Sequence, residues 1–357
     1  MNAPFARTRI LIVDDSATVR KLLGDALRRE PDLEVVGAAP DPFVARDMIL
    51  ALQPDIITLD LEMPRMDGLT FLGKLMEHHP LPVIVISSLT HAGSEASIEA
   101  LRLGAIEVIP KPGGPYSVGQ ITDTLKRCIR NARRAKFHLQ PPPAAPAAAP
   151  PPGDAPLPAH ASARGLIVIG ASTGGPQALE GLLSRMPAMS PPMLVVQHMP
   201  PGFTRSLAER LDRETALTVR EAAGGETPRP GTVYVAPGGR HLVLEQAGSH
   251  FVTRLHDGPL AHYQRPAVDV LFDSVARLHG LFRVGVLLTG MGADGANGMV
   301  ALRDSGAVTI AEAEESCVVF GMPKEAIARG GASAVAPLLQ IPASIVRSIR
   351  ELSRAAA

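Results

Sequence analysis

Ser172 lies on a glycine-rich turn between a predicted strand and a predicted helix. The apolar run Leu166–Ile169 is too short for a helix and is bounded by glycine, which favours a buried strand. Gly-Ala-Ser-Thr-Gly-Gly-Pro follows, and Pro176 is typical of the first turn of a helix. Such turns also cradle phosphates, but the spacing matches neither G-x-G-x-x-G nor a P-loop. Because a sharp turn presents a serine hydroxyl to a substrate, we predict that Ser172 is a nucleophile.

A nucleophilic serine needs a base within hydrogen-bond reach and a third group that orients the base. His198 follows the apolar run Met193–Gln197, and Asp294 follows the run Val284–Leu288. If these strands are parallel, the three side chains meet at one edge of a sheet. We therefore predict that His198 takes and returns the serine proton and that Asp294 holds the imidazole. The backbone N–H of Met291, in a glycine-rich turn, is the leading candidate for stabilising an oxyanion.

Each member of this group also has a simpler interpretation. Ser172 or Asp294 would then cap the helix that follows it, and His198 would be a satisfied turn histidine. Other histidines remain open as the base: His241, His256 and His262. Cys317 is a rival nucleophile, but it lies in an apolar run with no adjacent base, so we interpret it as packing. An ordinary α/β-hydrolase is disfavoured, because that class has the chain order Ser, acid, His.

Another group of polar residues stands at predicted strand ends near the start of the chain. Asp14 and Asp15 follow the first apolar run, Asp60 the third, Ser87 the fourth and Lys111 the fifth. Carboxylates that converge repel one another unless a hard cation neutralises them, and oxygen ligands suit Mg²⁺. A lysine beside them stabilises a transferring phosphoryl group, so we predict that Asp60 becomes an acyl phosphate. The alternative is that each aspartate caps a helix or turn.

The elements that carry both groups are apolar runs alternating with helix-like segments, which predicts parallel sheets with helices on both faces. In the first part the runs are Ile10–Val13, Val35–Ala38, Ile56–Leu59, Val83–Ile86 and Ile106–Ile109. In the second part they are Leu166–Ile169, Met193–Val196, Thr232–Ala236, Val284–Leu288 and Val308–Ile310. A hairpin, His241–Glu245 with Phe251–Leu255, is predicted at a sheet edge.

A Pro/Ala-rich tract separates the two parts and is predicted to be an extended, solvated spacer. We therefore divide the chain into a first domain at 1–130, a flexible linker at 131–163 and a second domain at 164–357. The fold class is α/β, with two doubly wound parallel-sheet domains joined by this linker.

Residues 9–128 resemble response-regulator receiver domains. The motifs are IVDDS at 12–16, LDLEMPRMDGL at 59–69, ISS at 86–88 and KP at 111–112. The resemblance implies a flavodoxin-like fold and phosphorylation of Asp60 by a histidine kinase. It also implies Mg²⁺ held by Asp14, Asp15 and Asp60, with Ser87 as the switch hydroxyl and Lys111 contacting the phosphoryl group.

Residues 165 to about 350 resemble the catalytic domain of the CheB chemotaxis methylesterases. The motifs include IGASTGGP at 169–176, VVQHMPPGFT at 195–204, LLTGMGADGANG at 287–298 and CVVFGMPKEAI at 317–327. The resemblance implies a Rossmann-like domain whose Ser172, His198 and Asp294 hydrolyse glutamate γ-methyl esters on chemoreceptors. It also implies deamidation of receptor glutamines, activation by phosphorylation, and no cofactor for the esterase chemistry.

The composition narrows the class of protein. Among 357 residues, Lys+Arg and Asp+Glu balance at 35 each, so no net charge draws the chain to nucleic acid. Apolar runs are shorter than a membrane span, and we expect a cytoplasmic monomer without membrane insertion. Two further hypotheses remain: a phosphorylation-controlled binding module without turnover, and an esterase of a small metabolite.

Overall fold

The computed structural model describes residues 7–88, 90–111, 118–134 and 159–355. The chain divides into two compact units, Met1–Pro142 and Pro143–Ala357. Most of the predicted linker, 135–158, lies outside the described residues. The ends of the predicted linker differ from the structure, since a helix of the first unit runs to Arg134 and residues 159–164 form another helix.

The first unit is a five-stranded, wholly parallel sheet with the strand order β2-β1-β3-β4-β5. Its strands are β1 (Thr8–Val13), β2 (Leu33–Ala39), β3 (Ile56–Asp60), β4 (Val83–Ser87) and β5 (Glu107–Pro110). Its helices are α1 (Ala17–Arg28), α2 (Pro42–Leu52), α3 (Gly68–His78), α4 (His91–Arg102) and α5 (Val118–Arg134). This is the flavodoxin-like order, and all five predicted runs are strands.

The helices of the first unit begin where the sequence supplies a capping side chain. A side-chain oxygen accepts a backbone N–H in the first turn of α1 to α4, and the capping residues are Ser16, Asp41, Asp67 and Thr90. Caps of this kind satisfy amides that have no partner inside the helix. The helices pack aliphatic side chains against the sheet in a core that includes Ile10, Ile56 and Leu125.

The second unit contains a seven-stranded parallel sheet with the order β14-β13-β12-β6-β7-β9-β8. The strands of the second unit, of which β10 and β11 lie outside this sheet, are β6 (Gly165–Ala171), β7 (Met193–Gln197), β8 (Thr218–Glu221), β9 (Thr232–Val235), β10 (His241–Ala247), β11 (His250–His256), β12 (Phe282–Leu287), β13 (Val308–Glu312) and β14 (Ala334–Ala336). Its helices are α6 (Ala159–Arg164), α7 (Gly175–Leu183), α8 (Phe203–Glu214), α9 (Val268–Ala276), α10 (Ala296–Asp304), α11 (Met322–Ala328), the 3₁₀ helix Leu338–Gln340 and α12 (Ile341–Ala355).

The strand order reverses around β6, the central strand of this sheet. From β6 the chain builds β7, β8 and β9 on one side, and it then builds β12, β13 and β14 on the other. All residues of β6, β7 and β12 are buried, so both faces of the sheet are covered at its centre. The carboxyl ends of strands at such a reversal form the crevice in which open α/β sheets bind ligands.

The predicted hairpin exists, but its place in the fold differs from the prediction. Strands β10 and β11 pair with each other as a separate two-stranded antiparallel sheet, in register from His241 with His256 to Ala247 with His250. Leu242 and Leu244 of β10 belong to the core around α9, so the hairpin packs over the main sheet through side chains. The short strands β8 and β14 were not predicted, because their four and three residues give little periodic signal.

The start of the second unit includes residues that we predicted to be linker. Helix α6 is tied down by Ser162 Oγ, which donates to the Met189 carbonyl at 2.8 Å, and by His160 Nε2, 2.7 Å from Ser353 Oγ of α12. Ala161 is fully buried. The compact second unit therefore begins by residue 159 in the structure. Among the described residues, no helix has the length and apolar character that crossing a bilayer requires.

Candidate active site

Ser172 lies on the turn between β6 and α7, as the sequence predicts. Its N–H donates to the Thr289 carbonyl at 3.0 Å, and its own carbonyl accepts from Gly175 N at 2.7 Å. Gly174, with φ +77°, is the residue that caps α7, so the side chain of Ser172 does not cap the helix. The hydroxyl is left for chemistry beside the positive end of a helix dipole, where negative charge is stabilised.

The turn after β12 approaches Ser172 closely. A Cβ at Gly290 would lie 2.8 Å from the Ser172 Cβ, so only glycine fits here. The Gly290 carbonyl accepts from the N–H groups of Gly321 (3.1 Å) and Met322 (2.8 Å), which fixes the turn that carries Met291. This places the Met291 peptide next to the residue that contacts the nucleophile, and its oxyanion role remains a prediction.

His198 and Asp294 form a buried pair. The His198 Nε2 lies 2.7 Å from Asp294 Oδ2, and the side chains are 5% and 2% exposed. Because an ionised carboxylate only accepts hydrogen bonds, the imidazole proton lies on Nε2 and Nδ1 is the basic nitrogen. His198 Nδ1 is buried and has no hydrogen-bond partner among the described residues. The ring is therefore oriented by Asp294 and keeps one nitrogen for a proton transfer.

The carboxylate of Asp294 is saturated with donors. Its Oδ2 accepts the N–H of Val268 at 2.7 Å and its Oδ1 accepts the N–H of Asp269 at 2.9 Å, both from the start of α9. Burial alone would raise the pKa of Asp294, but the hydrogen bond and charge of His198 and these two amides hold that pKa below its usual range. Asp294 thus stays ionised in the dry interior, and it does not cap α10, whose N-cap is Gly295.

The structure joins two members of the predicted triad and positions the third beside them. His198 N donates to the Ala171 carbonyl at 3.1 Å, so the ends of β7 and β6 are held together. No hydrogen bond joins Ser172 to the basic nitrogen of His198 in the described part of the chain. Catalytic hydrogen bonds are often long in a free enzyme and tighten when substrate binds.

Gln197 is a site residue that sequence reasoning missed. Its side-chain Nε2 donates to the Ser172 carbonyl at 2.9 Å and to the His198 carbonyl at 3.2 Å. One buried amide therefore links the backbone of the nucleophile to the backbone of the base. A polar residue at the end of the apolar run MLVVQ, directly before His198, is the signal that could have identified it.

A second layer of support was also missed. Thr289 N donates to Oε2 of Glu312 at 2.7 Å, and Thr289 Oγ1 donates to the Thr173 carbonyl at 3.0 Å. Glu312 ends strand β13 with no exposed surface. Burial raises the pKa of Glu312, although the Thr289 amide and the Ser316 hydroxyl, 2.9 Å from Oε1, oppose the rise. Glu312 acts through Thr289, whose carbonyl receives the Ser172 amide.

The rival residues have other contacts. His241 uses both ring nitrogens, donating from Nε2 to the Pro259 carbonyl (3.0 Å) and accepting the Ala267 N–H at Nδ1 (3.2 Å). Among the other two histidines, His256 Nδ1 accepts from Gly258 N at 3.2 Å and His262 Nε2 lies 2.8 Å from Asp269 Oδ2. Burial raises the pKa of the Cys317 thiol, with Glu312 adding to the rise, so Cys317 remains an inert buried thiol.

The first unit brings its predicted carboxylates together at the carboxyl ends of β1 and β3. Oxygens of Asp14, Asp15 and Asp60 lie within 4.8 Å of one another. Lys111 Nζ lies 2.7 Å from Asp60 Oδ2. The predicted switch hydroxyl, Ser87 Oγ, is buried and donates to the Gly93 carbonyl at 3.2 Å. The structure thus brings the predicted carboxylates and Lys111 together, and phosphorylation of Asp60 remains a prediction.

The electrostatics of this cluster fit a hard cation. Burial, and next the charge of Asp60, raise the pKa of Asp14 to about 6, and burial likewise raises the pKa of Asp60. Burial lowers the pKa of Lys111, but its hydrogen bond to Asp60 and the nearby carboxylates raise it overall. Asp14 Oδ2 is buried without a partner among the described residues. Two aspartates also receive turn amides, Asp14 from Ser16 N and Asp60 from Glu62 N.

Comparison with known proteins identifies both units. A family model described as "Response regulator receiver domain" matches residues 10–122, and one described as "CheB methylesterase" matches residues 167–345. A protein-glutamate methylesterase/protein-glutamine glutaminase 2 of Syntrophus aciditrophicus is 48% identical over 351 residues, which covers 96% of this chain and 100% of that protein. The chain belongs to the CheB methylesterase family.

Further CheB relatives agree over both the sequence and the catalytic fold. A protein-glutamate methylesterase/protein-glutamine glutaminase of Salmonella choleraesuis is 47% identical over 346 residues, covering 96% of this chain and 97% of that protein. The crystal structure of the Thermotoga maritima CheB methylesterase catalytic domain is 44% identical and superposes with a TM-score of 0.50, covering 51% of this chain and 97% of that domain. The resemblance to CheB methylesterases and the predicted class of two parallel-sheet α/β domains are confirmed.

Proposed function

We propose that this chain hydrolyses glutamate γ-methyl esters on chemoreceptors, with Ser172 as nucleophile, His198 as general base and Asp294 as the orienting acid. The observation that carries the proposal is the buried His198–Asp294 pair, 2.7 Å apart, at the strand ends beside the Ser172 turn. The printed names of the relatives, protein-glutamate methylesterase/protein-glutamine glutaminase, supply the substrate class.

The reaction divides into acylation and deacylation. Ser172 Oγ attacks the ester carbonyl while its proton passes to His198 Nδ1, and the imidazolium that forms is stabilised by ionised Asp294. His198 then gives the proton to the departing methoxide, which leaves as methanol. Water attacks the acyl-enzyme through the same base, and the products are the glutamate γ-carboxylate, one proton and free Ser172. The Met291 N–H is the proposed donor to the oxyanion in both steps.

The same acyl chemistry accommodates a glutamine side chain. Attack of Ser172 on the amide carbonyl gives the same acyl-enzyme, and His198 protonates the departing nitrogen, which leaves as ammonia. Receptor glutamines would thus become glutamates. This second activity rests on the glutaminase part of the relatives' names and on the fact that the acyl-enzyme does not depend on the leaving group.

In the receiver unit we propose Asp60 as the phosphorylation site, a histidine kinase as phosphodonor and Mg²⁺ as the ion held by Asp14, Asp15 and Asp60. Mg²⁺ would neutralise charge on the transferring phosphoryl group. Lys111 and Ser87 would contact that group once it is on Asp60. Phosphorylation would raise esterase activity by favouring a form in which the active site is accessible, which requires the phosphate to bind that form better than the closed one. The protein would act in the cytoplasm, as a monomer.

The deciding experiment measures methanol release from a methylated chemoreceptor, with and without a phosphodonor. The wild-type chain is expected to release methanol, and faster with the phosphodonor. Ser172→Ala is expected to lower the rate by about 10⁴-fold or more, as removal of a triad nucleophile does elsewhere. Ser184→Ala, at an exposed serine after α7, is the matched control and is expected to leave the rate unchanged. Unchanged release by Ser172→Ala would reject the nucleophile.

A further inference from the structure

The loop before α9 contains a tight turn at Ala261–Gln264 with an unfavourable backbone. The two end residues exchange both backbone hydrogen bonds, at 3.1 and 2.8 Å, and the two central residues, His262 and Tyr263, have φ +52° and +62°. Two-residue turns with positive φ at both central positions are normally Asn-Gly or similar, because bulky side chains crowd the backbone there. Such strain persists where the surroundings enforce it, and it is concentrated at functional sites.

The strained turn does not bury its aromatic side chain. Tyr263 is 83% exposed, and Leu260, just before the turn, is 59% exposed. The protein therefore holds a large apolar ring in solvent, in a backbone conformation that disfavours it, without packing it in the folded chain. Exposed aromatic rings on a fixed backbone are typical of residues that bind a partner, since a tyrosine loses little side-chain freedom on contact.

The turn is connected to the catalytic acid. His262 Nε2 lies 2.8 Å from Asp269 Oδ2, and the Asp269 N–H donates to Asp294 Oδ1 at 2.9 Å. The other oxygen of Asp269 accepts the Gly298 N–H of α10 at 2.7 Å. A ring nitrogen of His262 lies within 4.8 Å of a carboxylate oxygen of Asp294. The turn is thus linked to the carboxylate of Asp294 through a single residue, Asp269.

Other contacts hold the rest of this loop in place. The Pro259 carbonyl accepts from His241 Nε2 at 3.0 Å, and the Gly258 carbonyl accepts from Arg265 Nη1 at 2.9 Å. The Arg265 carbonyl accepts from Gly239 N at 2.9 Å. The loop is therefore anchored on both sides of the turn, so that Tyr263 is presented from a rigid base. Presenting a binding group rigidly lowers the entropy lost on association.

We propose that Tyr263 contacts the polypeptide that flanks the esterified glutamate, and that His262 is the positioning residue that fixes the turn against Asp269. The inference rests on the proposed function, whose substrate is a protein. The partner chemistry is a protein segment with aliphatic side chains beside the glutamate, because the ring offers a flat apolar face. A small ester lacks the flanking polypeptide that Tyr263 would contact.

The test assays the wild type and the Tyr263→Gly variant on two substrates, a methylated receptor and N-acetyl-glutamate γ-methyl ester. Glycine adopts the positive φ readily, so the thermal midpoint is expected to hold or rise. The KM for the receptor is expected to rise about tenfold with kcat unchanged, the size of a typical aromatic contact. The kcat/KM for the small ester is expected to stay at the wild-type value. Leu339→Ala, at an exposed apolar residue of the 3₁₀ helix, is the matched control.

A second pair of variants tests the positioning role of His262. His262→Ala removes the donor to Asp269 and is expected to raise the receptor KM as Tyr263→Gly does. His262→Gln keeps a side-chain N–H for Asp269 and is expected to restore the wild-type KM. A purely structural role would instead lower the thermal midpoint of His262→Ala and leave the receptor KM of both variants unchanged.

The outcomes separate the inference from the proposed function. If the wild-type chain releases no methanol from the receptor, the proposed function fails and the inference fails with it. If the wild type is active and Tyr263→Gly keeps the wild-type receptor KM, the inference alone is overturned. An equal loss on both substrates also overturns it, since the turn would then shape the catalytic site rather than read the protein substrate.

Discussion

Both parallel sheets of this chain place aspartates at the carboxyl ends of strands, but the two environments drive the carboxyl pKa in opposite directions. In the receiver unit, burial raises the pKa of Asp14 to about 6 and raises that of Asp60. In the catalytic unit, burial also acts on Asp294, but His198 and two backbone amides outweigh it and hold the pKa below its usual range. Position at a strand end therefore does not determine the charge state.

Asp294 and the receiver aspartates differ in the source of the positive charge and hydrogen bonds that compensate their burial. The chain itself supplies them to Asp294, through His198, Val268 and Asp269. Asp14 keeps one buried oxygen without a partner among the described residues, which suits an ion that comes and goes. A site built by the chain's own donors is prepared for immediate chemistry, whereas one that needs an external cation is suited to control.

The largest effect is expected at Asp294, the carboxylate that the chain supplies with its own hydrogen-bond donors. Asp294→Asn keeps the shape but removes the charge that stabilises the His198 imidazolium and sets its tautomer, so kcat for methanol release is expected to fall about 10⁴-fold. Asp304→Asn, at the exposed last residue of α10, is the control and is expected to be neutral. A loss of tenfold or less would show that the ionised Asp294 is dispensable, and the contrast between the two sheets would lose its catalytic meaning.

The next largest effect is expected at Asp60, the proposed phosphorylation site. Asp60→Asn is expected to abolish activation by phosphodonor while basal methanol release continues, because the acceptor oxygen is lost and the catalytic unit is untouched. Coupling between sites in one protein is typically about 5–150-fold, which sets the size of the activation removed. Initial rates with and without phosphodonor measure it, with exposed Asp25→Asn as control. Retained activation would place the phosphoryl group on another residue.

A smaller effect is expected at Gln197, whose side-chain amide links the backbones of Ser172 and His198. Gln197→Met removes the amide that binds the carbonyls of Ser172 and His198 but keeps most of the side-chain volume. Leaving these carbonyls without their donor is expected to reduce kcat about tenfold, with KM little changed, because the nucleophile and base lose their common support. Steady-state kinetics on a methylated receptor measure the split. A change in KM alone would contradict the role we assign to Gln197.

The smallest effect concerns Glu312, a buried carboxyl of the catalytic sheet whose pKa is raised, as in the receiver. A carboxyl with a raised folded pKa holds its proton longer in the folded chain. Its contribution to stability therefore falls as pH rises from about 4.5, its unfolded value, towards the folded one. Glu312→Gln should remove that fall, so the melting midpoint of the variant should match that of the wild type near pH 4 and exceed it at pH 7.

Thermal unfolding at several pH values measures this difference, and Glu315→Gln, at an exposed residue of the turn that follows β13, controls for the loss of one charge. The glutamine still offers an oxygen to Thr289 N and an N–H to Ser316 Oγ. A difference that does not change with pH would mean that Glu312 is ionised without penalty. It would then resemble Asp294 rather than the receiver aspartates.

Much of the fold could be predicted because both sheets are parallel and buried on two faces. Strands such as β1 and β6 are therefore mostly continuous apolar runs in the sequence, and glycine- or proline-containing segments lie between such runs. The separate sheet of β10 and β11 could not be predicted, because alternation specifies that a hairpin forms but not which core its inner face meets. The edge strands β8 and β14 are too short to give a pattern.

The residues that we propose to react carry signals in the sequence, whereas the residues that support them do not. Ser172 and Asp294 stand next to glycine-rich turns, and His198 follows an apolar run, so each carries a local signal. Gln197 and Glu312 act through backbone groups that lie far along the chain or in a neighbouring turn, such as the Thr289 amide. A sequence pattern contains no information about which carbonyl or amide such a side chain will meet.

The choice of ring nitrogen in His198 has a mechanical consequence. Since Nε2 is bound to Asp294, the proposed proton transfer falls to Nδ1, which is bonded to Cγ and so lies closer to the main chain than Nε2 does. The placement of the base is then governed by the torsions nearest the backbone at the end of β7.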